Sequence, residues 1–354
     1  MEMEARMPAA VIRVVRSRDA SGELVVRLGV PLLDEYLEFR GGRCRPNTAL
    51  AVAYDLKVFF TAVKKAPRRV GPADVLAFMT AQRTGGEGRL QVAGPDAGGV
   101  SARTLRRRLS SVSGLYSFLA ARGDVNANPV PRGLPTRRER QRPGQGVPLV
   151  RTPRTLPRIL EPAEVDALMA ALRTHRDRAM VAAMVLGGLR RCEVTGLRLG
   201  DLRFGERRVF IAEGKGGHQR LIPLSPRFFT EVSTYLESER PATAATDAVF
   251  IVLKGPRRGQ PLSAAGLDEI LDGARRRAGL AHATCHQLRH TCLTQLRKAG
   301  MSLEAVQAQA GHASIESTRI YLHLGDDWLA SQYRKAAEAI DAQQLPGSIT
   351  AGAR

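Results

Sequence analysis

Residues 284–293 read TCHQLRHTCL, a stretch in which two histidines and an arginine lie between two cysteines. The spacing of the apolar residues predicts a helix over 285–299, and on that helix His286, Arg289 and His290 share one face. Such a face suits a metal site, an anion-binding active site, or an ordinary polar surface turned towards solvent. The rest of the chain decides between these interpretations.

The cysteines of this stretch argue against a metal site. Thr284 and Gln287 have the form of a capping box, so the helix is predicted to begin at Cys285. Adjacent residues of a helix, such as Cys285 and His286, point about 100° apart, and no CxxC pair elsewhere completes a zinc site. The chain has 4 cysteines, unevenly spaced, which favours a reducing compartment over a disulfide framework. No metal and no cofactor is predicted.

The charge of the chain indicates nucleic acid as its partner. Its 354 residues suffice for two domains, and lysine and arginine number 54 against 34 for aspartate and glutamate. A formal charge of +20 repels itself unless a polyanion binds. A basic surface without a partner, or the arginine usage of a GC-rich genome, would give the same balance. The acidic N-terminus and the short apolar run at 179–189 predict a soluble protein of the bacterial cytosol, without membrane contact.

The first 130 residues are predicted to form an arm and a helical domain. Residues 1–29 are predicted to form a hairpin or frayed arm, because residues 11–18 and 23–28 alternate apolar and polar side chains around the turn DASG. Over residues 30–130 the apolar positions recur at three- and four-residue spacing, which predicts helices. These are predicted at 32–40, 47–64, 72–82 and 101–122.

The remaining chain is predicted to contain a linker and a mixed domain. Residues 131–157 are too rich in proline and arginine for a regular element and form a basic linker. Residues 158–345 form a second domain with one strand pair, and residues 346–354 a flexible tail. The helical part of the second domain is predicted to start near residue 162. The further helices of this domain are predicted at 177–187, 226–238, 263–278, 285–299, 302–310 and 315–322. The fold class is therefore mainly α with a small β-sheet.

Three further motifs accompany the histidine-rich helix. GGLRRCEVTGL places Arg190 directly after a Gly-Gly break, with Glu193 three residues on. EGKGGHQRLIPL places Lys215 at the tip of a predicted β-hairpin, where glycines permit tight turning. QAGHASIESTRIYLHL places His312 after a glycine and Tyr321 nine residues later. GKGG does not form a P-loop, because the earlier glycine and the following serine or threonine are missing.

In this order and at these spacings, the motifs resemble the tyrosine recombinase family, also called phage integrases. The resemblance covers most of the chain and implies a helical core-binding domain, a linker and a catalytic domain. It implies a site-specific DNA recombinase that integrates, excises or resolves DNA without metal or ATP. The catalytic residues that it implies are Arg190, Lys215, His286, Arg289, His312 and Tyr321.

The chemistry of these residue types fits cleavage of a phosphodiester. Arg190 and Arg289 would stabilise the charge on the non-bridging oxygens, because a guanidinium is permanently charged and forks onto phosphate. The two histidines would add hydrogen bonds to the same phosphate. Tyr321 would attack phosphorus and form a 3′-phosphotyrosine, while Lys215 would protonate the leaving 5′-oxygen.

Two residues are expected to support the catalytic set, and two other functions would use similar residues. Glu193 and His290 are expected to orient their neighbours rather than touch the phosphate. Tyr333 is the competing nucleophile, but it lies on an apolar stripe with Trp328. A type IB topoisomerase-like enzyme would share the chemistry and act alone, whereas a catalytically idle regulator would bind DNA on the same fold. The separate helical domain disfavours the first rival, and the complete catalytic set disfavours the second.

Arginines outside the catalytic set are predicted DNA contacts. The polar face of the amphipathic helix at 101–122 is expected to supply Arg103, Arg106, Arg107 and Arg108, and the linker is expected to supply Arg137 and Arg138. By resemblance, the protein closes as a C-shaped clamp on double-stranded DNA, as a dimer on each site and a tetramer in the synapse, with accessory DNA-bending proteins as further partners. The amphipathic stripe at 327–340 is expected to pack either within its own chain or on a neighbouring protomer.

Overall fold

The structure, a computed structural model, describes residues 12–84, 99–131, 133, 149–151, 158–212 and 219–312. It divides into two compact units, Met1–Arg154 and Thr155–Arg354, which are described separately. Several predicted features lie outside the described residues: most of the linker, the helix 315–322, the stripe 327–340, the tail 346–354, and Arg137, Arg138, Lys215, Tyr321 and Tyr333.

In the first unit, a hairpin packs on helices that share one core. Strands β1 (Val15–Arg18) and β2 (Leu24–Arg27) pair antiparallel, which confirms the predicted hairpin. The helices that follow are α1 (Pro31–Gly41), α2 (Pro46–Val63), α3 (Pro72–Thr84) and α4 (Ala102–Arg122). Each agrees with a predicted helix, and the first three begin at proline, whose fixed φ suits the first turn.

Helix α4 is positioned by a leucine stripe and a well-capped first turn. Its buried residues include Leu105, Leu109 and Leu115, which face the same core as α2. The Ser101 hydroxyl accepts a hydrogen bond from the Thr104 N–H at 3.2 Å and caps the start of the helix. The opposite side of α4 is left in solvent, where several of its arginines lie.

The second unit surrounds a small antiparallel sheet with helices. Strands β3 (Leu202–Arg203), β4 (Arg208–Ile211) and β5 (Arg220–Pro223) lie in that order. The helices are α5 (Pro162–Ala170), α6 (His175–Val185), α7 (Arg191–Thr195), α8 (Pro226–Ser238), α9 (Ala264–Arg277), α10 (Cys285–Lys298) and α11 (Leu303–Ala310). The strand pair and the helices predicted within the described residues are confirmed. Strand β3 and helix α7 were not predicted, because they are too short to show a periodic pattern of apolar residues.

Helix α6 is the centre of this unit. Every residue from Ala179 to Val185 is buried, and α6 packs against both α8 and α10. The apolar run that contains it is thus a core helix of the kind that is hydrophobic all round. No helix in the described ranges has the length and apolar character needed to cross a membrane.

Candidate active site

The Gly-Gly break after α6 determines where Arg190 lies. A Cβ on Gly187 would meet the Ala183 carbonyl oxygen at 2.8 Å, and Gly188 has a φ of +70°. Only glycine fits both requirements without strain. The chain therefore reverses tightly, buries Leu189 in the core and leaves Arg190 at the start of α7.

Glu193 lies buried, 4% exposed, among guanidinium groups. Its carboxylate accepts hydrogen bonds from Arg190 Nη1 at 2.7 Å and from Arg220 Nη1 and Nη2 at 3.0 and 2.9 Å, and Arg289 Nη1 lies 4.0 Å away. Burial alone would raise the pKa of Glu193, but the hydrogen bonds from Arg220 and from the Arg190 N–H, with the two positive charges, lower it. The carboxylate stays ionised and fixes the arginines around it.

Arg220 belongs to this cluster, although it was not predicted from the sequence. In the sheet register Arg220 pairs with Ile211 and shares its face with Ile222, so its side chain points into the core towards Glu193. The available signal was the alternation in RLIP, which puts Arg220 and Ile222 on the same side of the strand. A buried position for an arginine in that pattern indicates a carboxylate partner.

Arg289 joins three segments that are distant in sequence. It is 3% exposed, and it donates to the carbonyl of Gly188 and, at 2.6 Å, to the carbonyl of Ala310. Its Nη2 also donates to His312 Nε2 at 3.1 Å. Helix α10, the glycine break and the end of α11 therefore meet at one guanidinium.

The end of α11 is built around Gly311, which has a φ of +59° and caps the helix. Arg190 Nη2 donates to the Gly311 carbonyl at 3.0 Å, and a Cβ on Gly311 would lie 2.8 Å from Arg220 Nη1. Gln309, also missed from sequence, is buried and donates to the carbonyls of Gly187 at 2.9 Å and Pro223 at 3.2 Å. This turn leads directly into His312.

His286 and His290 form a hydrogen-bonded pair one turn apart on α10. Their Nε2 atoms are 2.8 Å apart and their rings are nearly perpendicular, with His286 exposed and His290 buried. Burial, the neighbouring His286 and the charge of Arg289 lower the pKa of His290 to about 4. Desolvation and the charges of Arg289 and Arg190 also lower the pKa of His286. Both rings are therefore neutral near pH 7, so one donates its N–H and the other accepts it.

The free energy of unfolding is expected to depend on pH because His290 is buried. Its pKa is lower in the folded state than its ordinary value near 6.5, so its contribution to stability is complete above about pH 6.5 and is lost as the pH falls towards 4. Between pH 7 and pH 5 this amounts to up to about 2 kcal/mol. The His290→Gln protein, whose amide can still bond to His286, is expected to lose less unfolding free energy over that range in urea titrations.

The exposed His282 provides the matched control for this measurement. His282→Gln should leave the pH dependence of the wild type in place. Equal losses of unfolding free energy in the wild type and the His290→Gln protein would show that His290 does not remain neutral in the folded state.

The two cysteines of α10 are packing residues. Burial raises the pKa of both thiols to about 12, with the nearby Asp268 carboxylate adding to the effect at Cys285. Cys285 Sγ lies 3.4 Å from Asp268, and Cys292 is buried in the core. Across the described ranges, His, Cys, Asp and Glu side chains form no group of three suited to a metal ion.

The arginines predicted to contact DNA on α4 separate into two kinds. Arg103 and Arg106 are exposed, and Arg107 is half exposed with an ion pair to Asp55. Arg108 is buried and donates to Gln82, so the prediction that it lies on the polar face is wrong. The reason is its helical phase, because position 108 falls on the same stripe as the core leucines at 105 and 109.

Comparison with known proteins assigns both units. The model of the phage integrase family matches residues 158–327, and that of the phage integrase N-terminal SAM-like domain matches residues 33–123. Tyrosine recombinase XerC of Pelotomaculum thermopropionicum is 31% identical over 251 residues, covering 67% of this chain and 76% of the relative. Tyrosine recombinase XerD of Listeria monocytogenes is 29% identical over 324 residues, covering 86% and 97%.

Solved structures show the same fold. The Tn1549 transposon integrase superposes with a TM-score of 0.66 at 17% identity, covering 86% of this chain and 98% of that chain. A λ integrase superposes with a TM-score of 0.59 at 17% identity, covering 91% and 99%. The chain belongs to the phage integrase family and is a tyrosine recombinase, an enzyme that breaks and rejoins DNA at specific sites.

Proposed function

We propose that this recombinase holds the scissile phosphate between Arg190 and Arg289 and cuts the strand with Tyr321. The observation that supports this most is the convergence of Arg190, Arg289 and His312 at the end of α11, although these residues lie far apart in the chain. His286 is exposed one turn before His290, and the charges of both arginines lower its pKa. Lys215 and Tyr321 enter the proposal by resemblance.

The electrostatics of the cluster suit an anion. Arg190, Arg220 and Arg289 surround one carboxylate, Glu193, so three positive charges against one negative leave a net of +2. Glu193 keeps the guanidiniums in fixed positions, which avoids reorganisation when charge develops on the phosphate. Arg289 already donates to two carbonyls, whereas Arg190 is more exposed. We therefore propose that Arg190 is the first of the two arginines to contact the incoming phosphate.

We infer the reaction from the described side chains together with the resemblance, which supplies Tyr321 and Lys215. The phenol oxygen of Tyr321 attacks phosphorus while a histidine, His286 or His312, accepts its proton. The bond from phosphorus to the 5′-oxygen breaks, Lys215 gives that oxygen a proton, and a 3′-phosphotyrosine forms. Attack by the 5′-hydroxyl of a partner strand reverses the step, so neither metal nor ATP is required. His290 would set the tautomer of His286 through their hydrogen bond.

The architecture of the complex is also part of the proposal. We assign residues 30–130 to core binding, 131–157 to the linker and 158–345 to catalysis. The structure of the Tn1549 integrase contains transposon right end DNA, that of the λ integrase is a dimer bound to a core site, and that of XerH contains a difH substrate. By that similarity, this basic chain acts as a dimer on each double-stranded site and as a tetramer in the synapse.

A nicked suicide duplex that carries the recombination site tests this function. In the presence of EDTA and without ATP, the wild-type protein is expected to form a covalent complex that survives denaturing electrophoresis. Peptide mapping should place the attached nucleotide on Tyr321. A protein that binds the duplex without an adduct would be an idle regulator, and one that relaxes any supercoiled plasmid would be a topoisomerase-like enzyme.

A further inference from the structure

A basic groove on the first unit is separate from the catalytic cluster. It encloses about 570 Å³ between the N-terminal half of α4 and the outer side of α2. Its charged lining consists of Arg40, Arg103, Arg106, Arg107 and one carboxylate, Asp55. The excess of positive charge suits DNA, but charge alone gives no sequence preference.

Asp55 is unusual because it lies buried, 2% exposed, at the floor of this groove. Its Oδ2 accepts hydrogen bonds from Arg107 Nη1 at 2.6 Å and from the Ser111 hydroxyl at 2.8 Å. Burial raises the pKa of Asp55, and the hydrogen bonds from Ser111 and Arg107 offset that effect only in part. The carboxylate also offsets the charge of the neighbouring buried Arg108, so it has a structural role in the first unit beside its bond to Arg107.

The contact fixes Arg107 while leaving it accessible. The side chain of Arg107 is 52% exposed, although its guanidinium is anchored from below. The bond to Asp55 uses one of the five N–H donors of a guanidinium, so a fork of two donors can still serve a second partner. A held arginine loses little side-chain entropy when it binds, which favours recognition with a defined geometry.

We propose that Arg107 reads a guanine in the major groove of the target DNA and that Asp55 is its positioning residue. Arginine forks onto the O6 and N7 atoms of guanine, and recognition helices make such contacts from their N-terminal halves, where Arg107 lies on α4. Arg103 and Arg106, exposed on the same surface, would contact phosphates. This inference rests on the proposed action on DNA and identifies a source of its site preference.

Selection from a library of random duplexes, with the full chain, tests the assignment. The wild type is expected to enrich a motif containing a G·C pair that Arg107→Ala no longer prefers, with discrimination at that position falling by about 5- to 150-fold and the other positions unchanged. Arg106→Ala is the matched control. It should enrich the same motif, bind every duplex more weakly, and reduce the salt dependence of binding by about 0.9 in slope.

Two conservative variants separate positioning from charge. Arg107→Lys keeps the charge and loses the rigid fork, so it should weaken the guanine preference with the salt slope unchanged. Asp55→Asn should weaken preference at the same position only, in protein whose circular dichroism matches the wild type. The inference is overturned if both Arg107 variants keep the guanine preference, or if the wild type enriches no motif. Adduct formation on the suicide duplex reports separately on the proposed catalysis.

Discussion

The Tyr321→Phe protein is expected to bind the suicide duplex as tightly as the wild type and to form no covalent adduct. Phenylalanine keeps the ring and removes only the oxygen that would attack phosphorus. None of the other residues proposed for the catalytic site carries a hydroxyl that could form the same phosphodiester. The measurement is the fraction of labelled strand that is retained on protein in a denaturing gel, and the expected loss is complete.

Tyr333→Phe is the matched control, because it removes the same oxygen from the competing tyrosine twelve positions later. That protein is expected to form adduct at the wild-type rate. An adduct on Tyr321→Phe, or its loss from Tyr333→Phe alone, would assign the nucleophile differently.

Arg289→Ala is expected to slow strand cleavage by about 10³- to 10⁴-fold while DNA binding changes little. The guanidinium is proposed to stabilise charge that is greatest in the transition state, so its removal affects the rate more than the affinity. It also leaves the carbonyls of Gly188 and Ala310 without a donor that they have in the structure. Single-turnover cleavage and gel-shift titration on the same duplex measure the two effects.

A loss of stability alone could imitate this result, and Arg297→Ala controls for it. Arg297 is also a buried arginine of α10 and donates to the Met301 carbonyl at 2.9 Å, two turns away from the site. Its removal should lower the melting temperature and preserve cleavage. Arg289→Lys, which keeps the charge without the fork, should remain slow. Cleavage by Arg289→Ala at the rate of Arg297→Ala would remove Arg289 from the chemistry.

Local rules in the sequence predicted much of the fold. Prolines at the first turns of α1 to α3, the capping box at Thr284 and the glycines after α6 act within a few residues, so they can be read directly. Motif order likewise predicted Arg190 and Arg289, which the structure brings to one place. The assignment of Arg108 to the polar face was wrong. It was based on the charge of the side chain, whereas the position of residue 108 on the helix puts it on the same side as the buried leucines at 105 and 109.

The residues that were missed depend on contacts between distant segments. Arg220 meets Glu193 only because the sheet register turns it inward, and Gln309 reaches Gly187 from 122 residues away. Asp55 looks like an ordinary polar residue of α2 until α4 packs over it with Arg107. Spacing along one element carries no information about such pairs, because tertiary packing alone decides them.

The bonds from Arg289 to Gly188 and from Arg190 to Gly311 join residues 101 and 121 positions apart. Contacts of such long range form only when the chain between them has folded. A polypeptide that is still being synthesised, or that ends before Gly311, would therefore carry most of the site's side chains without their arrangement. Such a copy would lack the arrangement on which the proposed cleavage depends, in addition to lacking Tyr321.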